Sequence, residues 1–277
     1  MLSAVWAYWW ATRRLGPRLV EPGQPVASRR QQWWFYGGVA VLWVFSEWPI
    51  HDISEGYLLS VHMVQHTFFS VVAPPMLLLG LPDWLTGWLL KNPVLGFIGR
   101  HVAKPWPALL LFNFLNILMH WEPVVDHELR SEPLHFAMHL LLFSGSMCVW
   151  LPLVNSRADL PRLSHPMKLV YAMGTTLSMV APVTFLALAT RPTYHVYAHA
   201  PKLWGISHLA DQQAGAGIMW LLHSVIMTCV IAYVFFSWWA AEQRDPQTRS
   251  WPERPPALDE LPDPLTWDDV EHQLERA

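Results

Sequence analysis

Histidine is the residue whose placement in this chain suggests chemistry. Two pairs stand four residues apart: His62 and His66 within HMVQH, and His135 and His139 within HFAMH. Residues at that spacing lie on one helix face, a turn apart. Each pair therefore offers two imidazoles to the same neighbour, and facing helices of a bundle can build a metal site this way. Neutral imidazole binds copper, zinc, iron and nickel, while thioether sulfur favours Cu(I). Met63, Met119, Met138 and Met219 lie close to these histidines in the chain's layout and tilt the expected ion toward Cu(I). His120 ends one apolar segment, and Asp211 opens another with DQQ. A carboxylate at that depth is costly alone; it is expected to ligate metal or to orient a ligand imidazole. A single intramembrane histidine more often makes a helix–helix hydrogen bond. Two pairs and His120 at one depth favour ligation over that reading.

The elements that must position these groups are apolar. Of 277 residues, 53% are hydrophobic and 14% charged, against roughly 25% charged in soluble domains. Net charge is −3, so no basic field points to nucleic acid. The two cysteines, Cys148 and Cys229, lie inside apolar runs and read as packing residues rather than a disulfide framework. A spanning helix needs about 20 mostly apolar residues. Six segments qualify, at about 33–50, 58–80, 105–121, 134–153, 167–190 and 211–240, with a partial one at the N-terminus, MLSAVWAYWWATRRL. The fold expected is all-α: a polytopic transmembrane bundle of six full spans plus the partial one. Pro74 and Pro75 predict a kink or break near Ala73, Pro182 a bend, and 83–93 an interfacial helix. Residues 1–240 read as the membrane domain. The tail 241–277, rich in Pro and charge, reads as a solvated, disordered extension with a short helix near 266–275.

Lys and Arg alternate across the loops. Fifteen fall on one side (among them Arg13, Arg29, Lys91, Arg157 and Arg244), and only Arg130, Arg191 and Lys202 on the other. The positive-inside bias puts the rich side, and the C-terminus, in the cytoplasm. Most histidines then face outward; His101, His165 and His272 do not. Glu47 reads as a group reaching the interface, and His195 and His199 as surface residues. No phosphate-cradling loop or nucleophile elbow is present in the sequence.

Four motifs, in order, resemble the CtaG family of membrane proteins that assist cytochrome c oxidase assembly. They are HMVQHTFFSVVAPPMLLLGLP at 62–82, His120 with Pro123, the His135–His139 pair, and DQQAGAGIMW at 211–220. The resemblance covers about 33–240. The chain departs from the pattern at Met138, where the family often has an acidic residue, and in the spacing of HWEP. The resemblance implies copper supply to the oxidase at the outer face of a bacterial inner membrane. It implies contact with oxidase subunits or other assembly factors, and with lipid. On both grounds the expected metal residues are His62, His66, His120, His135, His139 and Asp211, holding copper as Cu(I) in a non-enzymatic protein. Two rivals are a haem-binding membrane redox protein, in which the histidine pairs are axial ligands, and a metal or proton transporter. The apolar cytoplasmic halves of the helices argue against a through-path.

Overall fold

The computed structural model describes residues 1–155 and 157–244, and every regular element among them is helical. The chain divides into two compact units, Met1–Val234 and Phe235–Ala277; the histidines described below lie in the first. In order, the helices are α1 Leu2–Trp10, α2 Arg29–Ser46, α3 Ile50–Gly56, α4 Leu59–Gly80, α5 Asp83–Leu89, α6 Pro105–Leu118, α7 Glu122–Glu128, α8 Glu132–Val154, α9 His165–Leu188, α10 His195–Ala198 and α11 His208–Glu242. A π turn, Ala11–Leu15, carries α1 on into Gly16–Leu19. A short helix, Pro93–Phe97, and a π turn, Ile98–Val102, link α5 to α6. The tail beyond Arg244, with its expected helix near 266–275, lies outside the described residues.

Four helices, α4, α8, α9 and α11, are long and apolar enough to cross a membrane; α6 with α7 makes a fifth if that bent pair is one broken span. This corrects the expected six. The segment at 33–50 folds as α2, which opens with Arg29, Arg30, Gln31 and Gln32. Its apolar part, 33–45, is roughly 20 Å long, short of a hydrocarbon core of about 30 Å. The segment at 105–121 stops being helical at Leu118, after 14 residues, and α7 turns away by 75°. The lipid-facing character of the rest is plain. Phe136, Val170, Met173, Leu177 and Phe185 are large, apolar and exposed, a surface that water does not tolerate over such an extent.

The prolines of α4 are absorbed by a π turn, Phe68–Val72, set directly before Ala73. The kink expected near Ala73 therefore takes the form of an inserted residue in the ladder. Pro74 has no N–H for the carbonyl of Ser70, four residues back. The indole Nε1 of Trp150 on α8 donates to that carbonyl at 3.0 Å. In lipid no water can do so, so one indole ties α8 to the middle of α4. Pro182 lies within α9, which continues through it to Leu188. Within the 83–93 stretch, Asp83–Leu89 folds as a short helix, α5.

At one end of the bundle, α3, α7 and α10 gather over the starts of α4 and α8. The Tyr197 hydroxyl donates to the Ser54 carbonyl at 2.6 Å, and Tyr194 to that of His120 at 2.9 Å. Asp126 of α7 accepts from the backbone N–H groups of His195 and Val196 at 3.1 and 3.0 Å, which fixes the start of α10.

Trp150→Phe keeps the ring and deletes the donor. It is expected to lower stability by about 1 kcal/mol, measured as the midpoint of SDS-driven unfolding in mixed micelles. An unshifted midpoint would mean that the Ser70 carbonyl is satisfied by other means.

Candidate metal centre

The two histidine pairs meet. α4 carries His62 and His66, α8 carries His135 and His139, and their rings interleave at centroid distances from 4.2 to 5.7 Å. His62, His66 and His135 are buried, and His139 is half-buried. The Nε2 atom of His139 lies 3.0 Å from Nε2 of His66 and 2.9 Å from Nε2 of His135. One nitrogen of each of His62, His66 and His139 falls within 4.8 Å of the other two, a spacing that a metal ion can bridge.

Protons alone account for this poorly. Glu55 of α3 places Oε1 2.6 Å from Nδ1 of His135 and 3.2 Å from Nε2 of His51. Burial raises the Glu55 carboxyl, but the hydrogen bond from His135 and the positive character of His135 and His51 outweigh it. The group titrates below the usual carboxylate range and accepts a hydrogen bond from His135 Nδ1–H. When His135 is neutral, with its proton on Nδ1 facing Glu55, Nε2 offers only a lone pair. A single His139 proton would have to serve both His135 and His66. Ligand nitrogens around a tetrahedral ion, at about 2.0 Å from it, stand ~3.3 Å apart. The separations here are close to that.

His120 lies beside this group, its ring 6.0 Å from that of His66. Nδ1 bonds the Asn116 carbonyl at 2.7 Å, which leaves Nε2 buried and without a partner. Its neutral tautomer is thereby fixed with the lone pair free, as second-contact hydrogen bonds do for ligating histidines. Nδ1 of His62 and of His66 are likewise unpartnered.

Asp211 stands apart from the ring cluster. Its carboxylate accepts from the backbone N–H groups of Leu59 at 2.7 Å and Ser60 at 3.2 Å, and from the Ser60 hydroxyl at 2.5 Å. It is the cap of α4, whose own cap residue, Leu58, supplies no side-chain bond. The orienting role acts on the whole helix rather than on one imidazole. The rest of the DQQ motif is also a clamp. Gln212 accepts from Thr193 N–H at 2.7 Å and donates to the Leu186 carbonyl at 3.1 Å. Gly215 lets α11 approach Ser60 so closely that a Cβ there would lie 3.1 Å from its Cα. In α4 itself, Gln65 donates to the Phe45 carbonyl at 2.6 Å and accepts from Ser54 at 3.0 Å. All three glutamines in these motifs therefore brace the scaffold, Gln213 by donating to the Ala189 carbonyl at 3.2 Å. Met63 and Met219 pack in an apolar cluster with Met179 and Leu186.

Over residues 6–241 the chain matches the family described as cytochrome c oxidase caa3 assembly factor (Caa3_CtaG). The chain belongs to that family. Two curated relatives, an uncharacterized protein of Mycobacterium bovis and one of Mycobacterium tuberculosis, are each 24% identical to it over 211 residues. The match takes in 68% of this chain and 31% of each relative, so the chain spans under a third of the length of the curated relatives it matches. No solved structure matches the chain.

Two carboxylates at this centre escape a reading of the sequence. Glu55 had a visible signal, its four-residue spacing from His51 on one short helix. Glu128 had only its neighbour His127, and His127 itself points away, exposed. Glu128 is 1% exposed, and neither of its oxygens has a hydrogen-bond partner. It groups with His62 and His135 within 4.8 Å. A third grouping, Glu122, Asp126 and His195, lies at the exposed end, where Asp126 is already engaged with the start of α10.

Asp211→Ala is expected to destabilise the fold by about 1–2 kcal/mol, the usual cost of losing a helix cap. Asp211→Asn keeps one acceptor and should lose less. Thermal unfolding in detergent reads both. Equal loss in the two variants would argue that charge, not capping, is what Asp211 contributes.

Proposed function

We propose that this assembly factor holds a copper ion as cargo between α4 and α8 and supports its delivery to cytochrome c oxidase. The ion would sit among His62, His66, His135 and His139, with His120 in reach to complete the set. The carrying observation is that a nitrogen of each of His62, His66 and His139 lies within 4.8 Å of the other two, with Nε2 of His66 and of His135 at 3.0 and 2.9 Å from that of His139. That spacing suits nitrogens around one ion better than three neutral imidazoles sharing protons. An all-imidazole set suits copper as one of the borderline transition metals that imidazole holds, and the family's role in oxidase assembly points to copper among them. The charge bias of the loops supports an outward position for this end of the bundle, with the C-terminus in the cytoplasm of a bacterial cell. Oxidase subunits or other assembly factors are then the partners, reached from the membrane, and no catalytic step is needed.

The haem reading fares worse on geometry. Two axial nitrogens on opposite faces of a haem iron would stand about 4 Å apart with the macrocycle between them. The rings of His66 and His139 lie 4.8 Å apart centre to centre, with nitrogens at 3.0 Å.

Detergent-purified protein loaded anaerobically with Cu(I) and passed over a desalting column is expected to retain about one equivalent. His66→Ala/His139→Ala should retain at least tenfold less, and cells carrying it should assemble oxidase poor in copper. Equal retention by the wild type and the double variant would sink the copper reading. A Soret band in the purified protein would revive the haem one.

A further inference from the structure

Glu128 has no place in an all-imidazole site. It comes from α7, the short helix that turns 75° from α6, and its carboxylate is almost wholly buried with both oxygens unpartnered. A bare carboxylate removed from water is costly unless a counter-charge or donors replace the water. Protonation would not mend it, because the new O–H would have no acceptor and the remaining oxygen no donor. What lies within reach is a nitrogen of His62 and one of His135, each within 4.8 Å of a Glu128 oxygen.

We propose that His62, Glu128 and His135 form a second cation position, which overlaps the all-imidazole position and takes a divalent borderline cation such as Zn(II). The two positions lie at different depths. His62 and His135 each precede His66 and His139 by four residues on helices that start at the same end. The carboxylate position therefore lies nearer that end than the deeper imidazoles, His66 and His139, which sit one turn, ~5.4 Å, further along. They also differ in chemistry. A carboxylate with two imidazoles is a common ligand set for Zn(II) and suits divalent ions, whereas the deeper position offers nitrogen alone. Glu55 supports the arrangement by holding His135 from its other side at 2.6 Å, as carboxylates do for ligating histidines. The site thus has a mixed nitrogen–oxygen mouth over an all-nitrogen floor.

The inference shares His62 and His135 with the copper reading, and two metals separate the two claims. Zn(II) and, anaerobically, Cu(I) are titrated into the purified full chain by competition with chelators of known affinity. Glu128→Gln is expected to weaken Zn(II) binding roughly tenfold or more and to leave Cu(I) unchanged. His66→Ala/His139→Ala should show the opposite pattern. Glu128→His, which keeps a ligand atom, should restore Zn(II) binding. Unchanged Cu(I) binding in Glu128→Gln also certifies that the variant is folded. Loss of both metals in Glu128→Gln, or of neither, overturns the second position. Failure of the wild type to hold Cu(I), with Zn(II) binding still dependent on Glu128, would sink the copper reading and leave this one standing.

Discussion

A polar group inside a lipid-embedded bundle must find its partner within the protein, because no water reaches it. The architecture around the histidines follows from that constraint. Pro74 frees a carbonyl, and Trp150 supplies the N–H. The start of α4 has no cap of its own, and Asp211 provides one from α11. Gln65, fully buried between the two histidines of HMVQH, spends its amide on Phe45 and Ser54. Among the described residues, half of the buried nitrogens and oxygens left without a partner gather around the histidine pairs. They are Nδ1 of His62 and His66, Nε2 of His120 and both oxygens of Glu128. His223 and a few amide and hydroxyl groups are also unpartnered, deeper in the bundle. A cluster of unmet lone pairs at one end of the bundle is the feature on which the proposed cation site rests.

How much of this was legible in the sequence depends on the range of the interaction. The His62–His66 and His135–His139 pairs are local facts of helical periodicity, and the fold keeps both on helices that face one another. The π turn at Phe68–Val72 was foreshadowed by Pro74 and Pro75, since a missing donor has a fixed local consequence. The number of spans was overestimated, because a run of apolar letters does not say where a helix stops. Leu118 ends α6 at a bend that depends on how α7 packs, and the polar opening of α2 shortens its apolar part. Glu128 was invisible for the same reason. Nothing in HELRSEP reveals that the chain turns 75° just before it and buries its carboxylate against α4 and α8.

Asp211 shows a subtler limit. Its cost at the start of an apolar helix was readable, and so was the need for a partner. The partner that the fold provides is the backbone at the start of α4, far earlier in the chain. A carboxylate can relieve its burial by accepting N–H groups at a helix start as well as by meeting a cation. Sequence does not choose between these; tertiary contact does. Glu128, with no hydrogen-bond partner on either oxygen, takes the second option in the proposed reading.

Rigidity and access are divided between different parts of the site. α4 is held at its start by Asp211, at its middle by Gln65, and beyond the histidines by Trp150. Its two imidazoles are thus fixed before any ion arrives, which spares the ordering cost that a flexible site would bear on binding. The lid above them is built differently: α3, α7 and α10 are short helices, joined by tyrosine hydroxyls and by Asp126. Of the four central histidines, His139 alone is half-exposed, with Phe69 against its ring at 5.5 Å. Its Nε2 is also the atom on which the other two converge. On the proposed reading, the imidazole that closes the site is the one nearest the surface. An incoming acceptor ligand would then displace His139 first and leave the cation on the buried set, which permits stepwise transfer without opening the rigid core of the bundle.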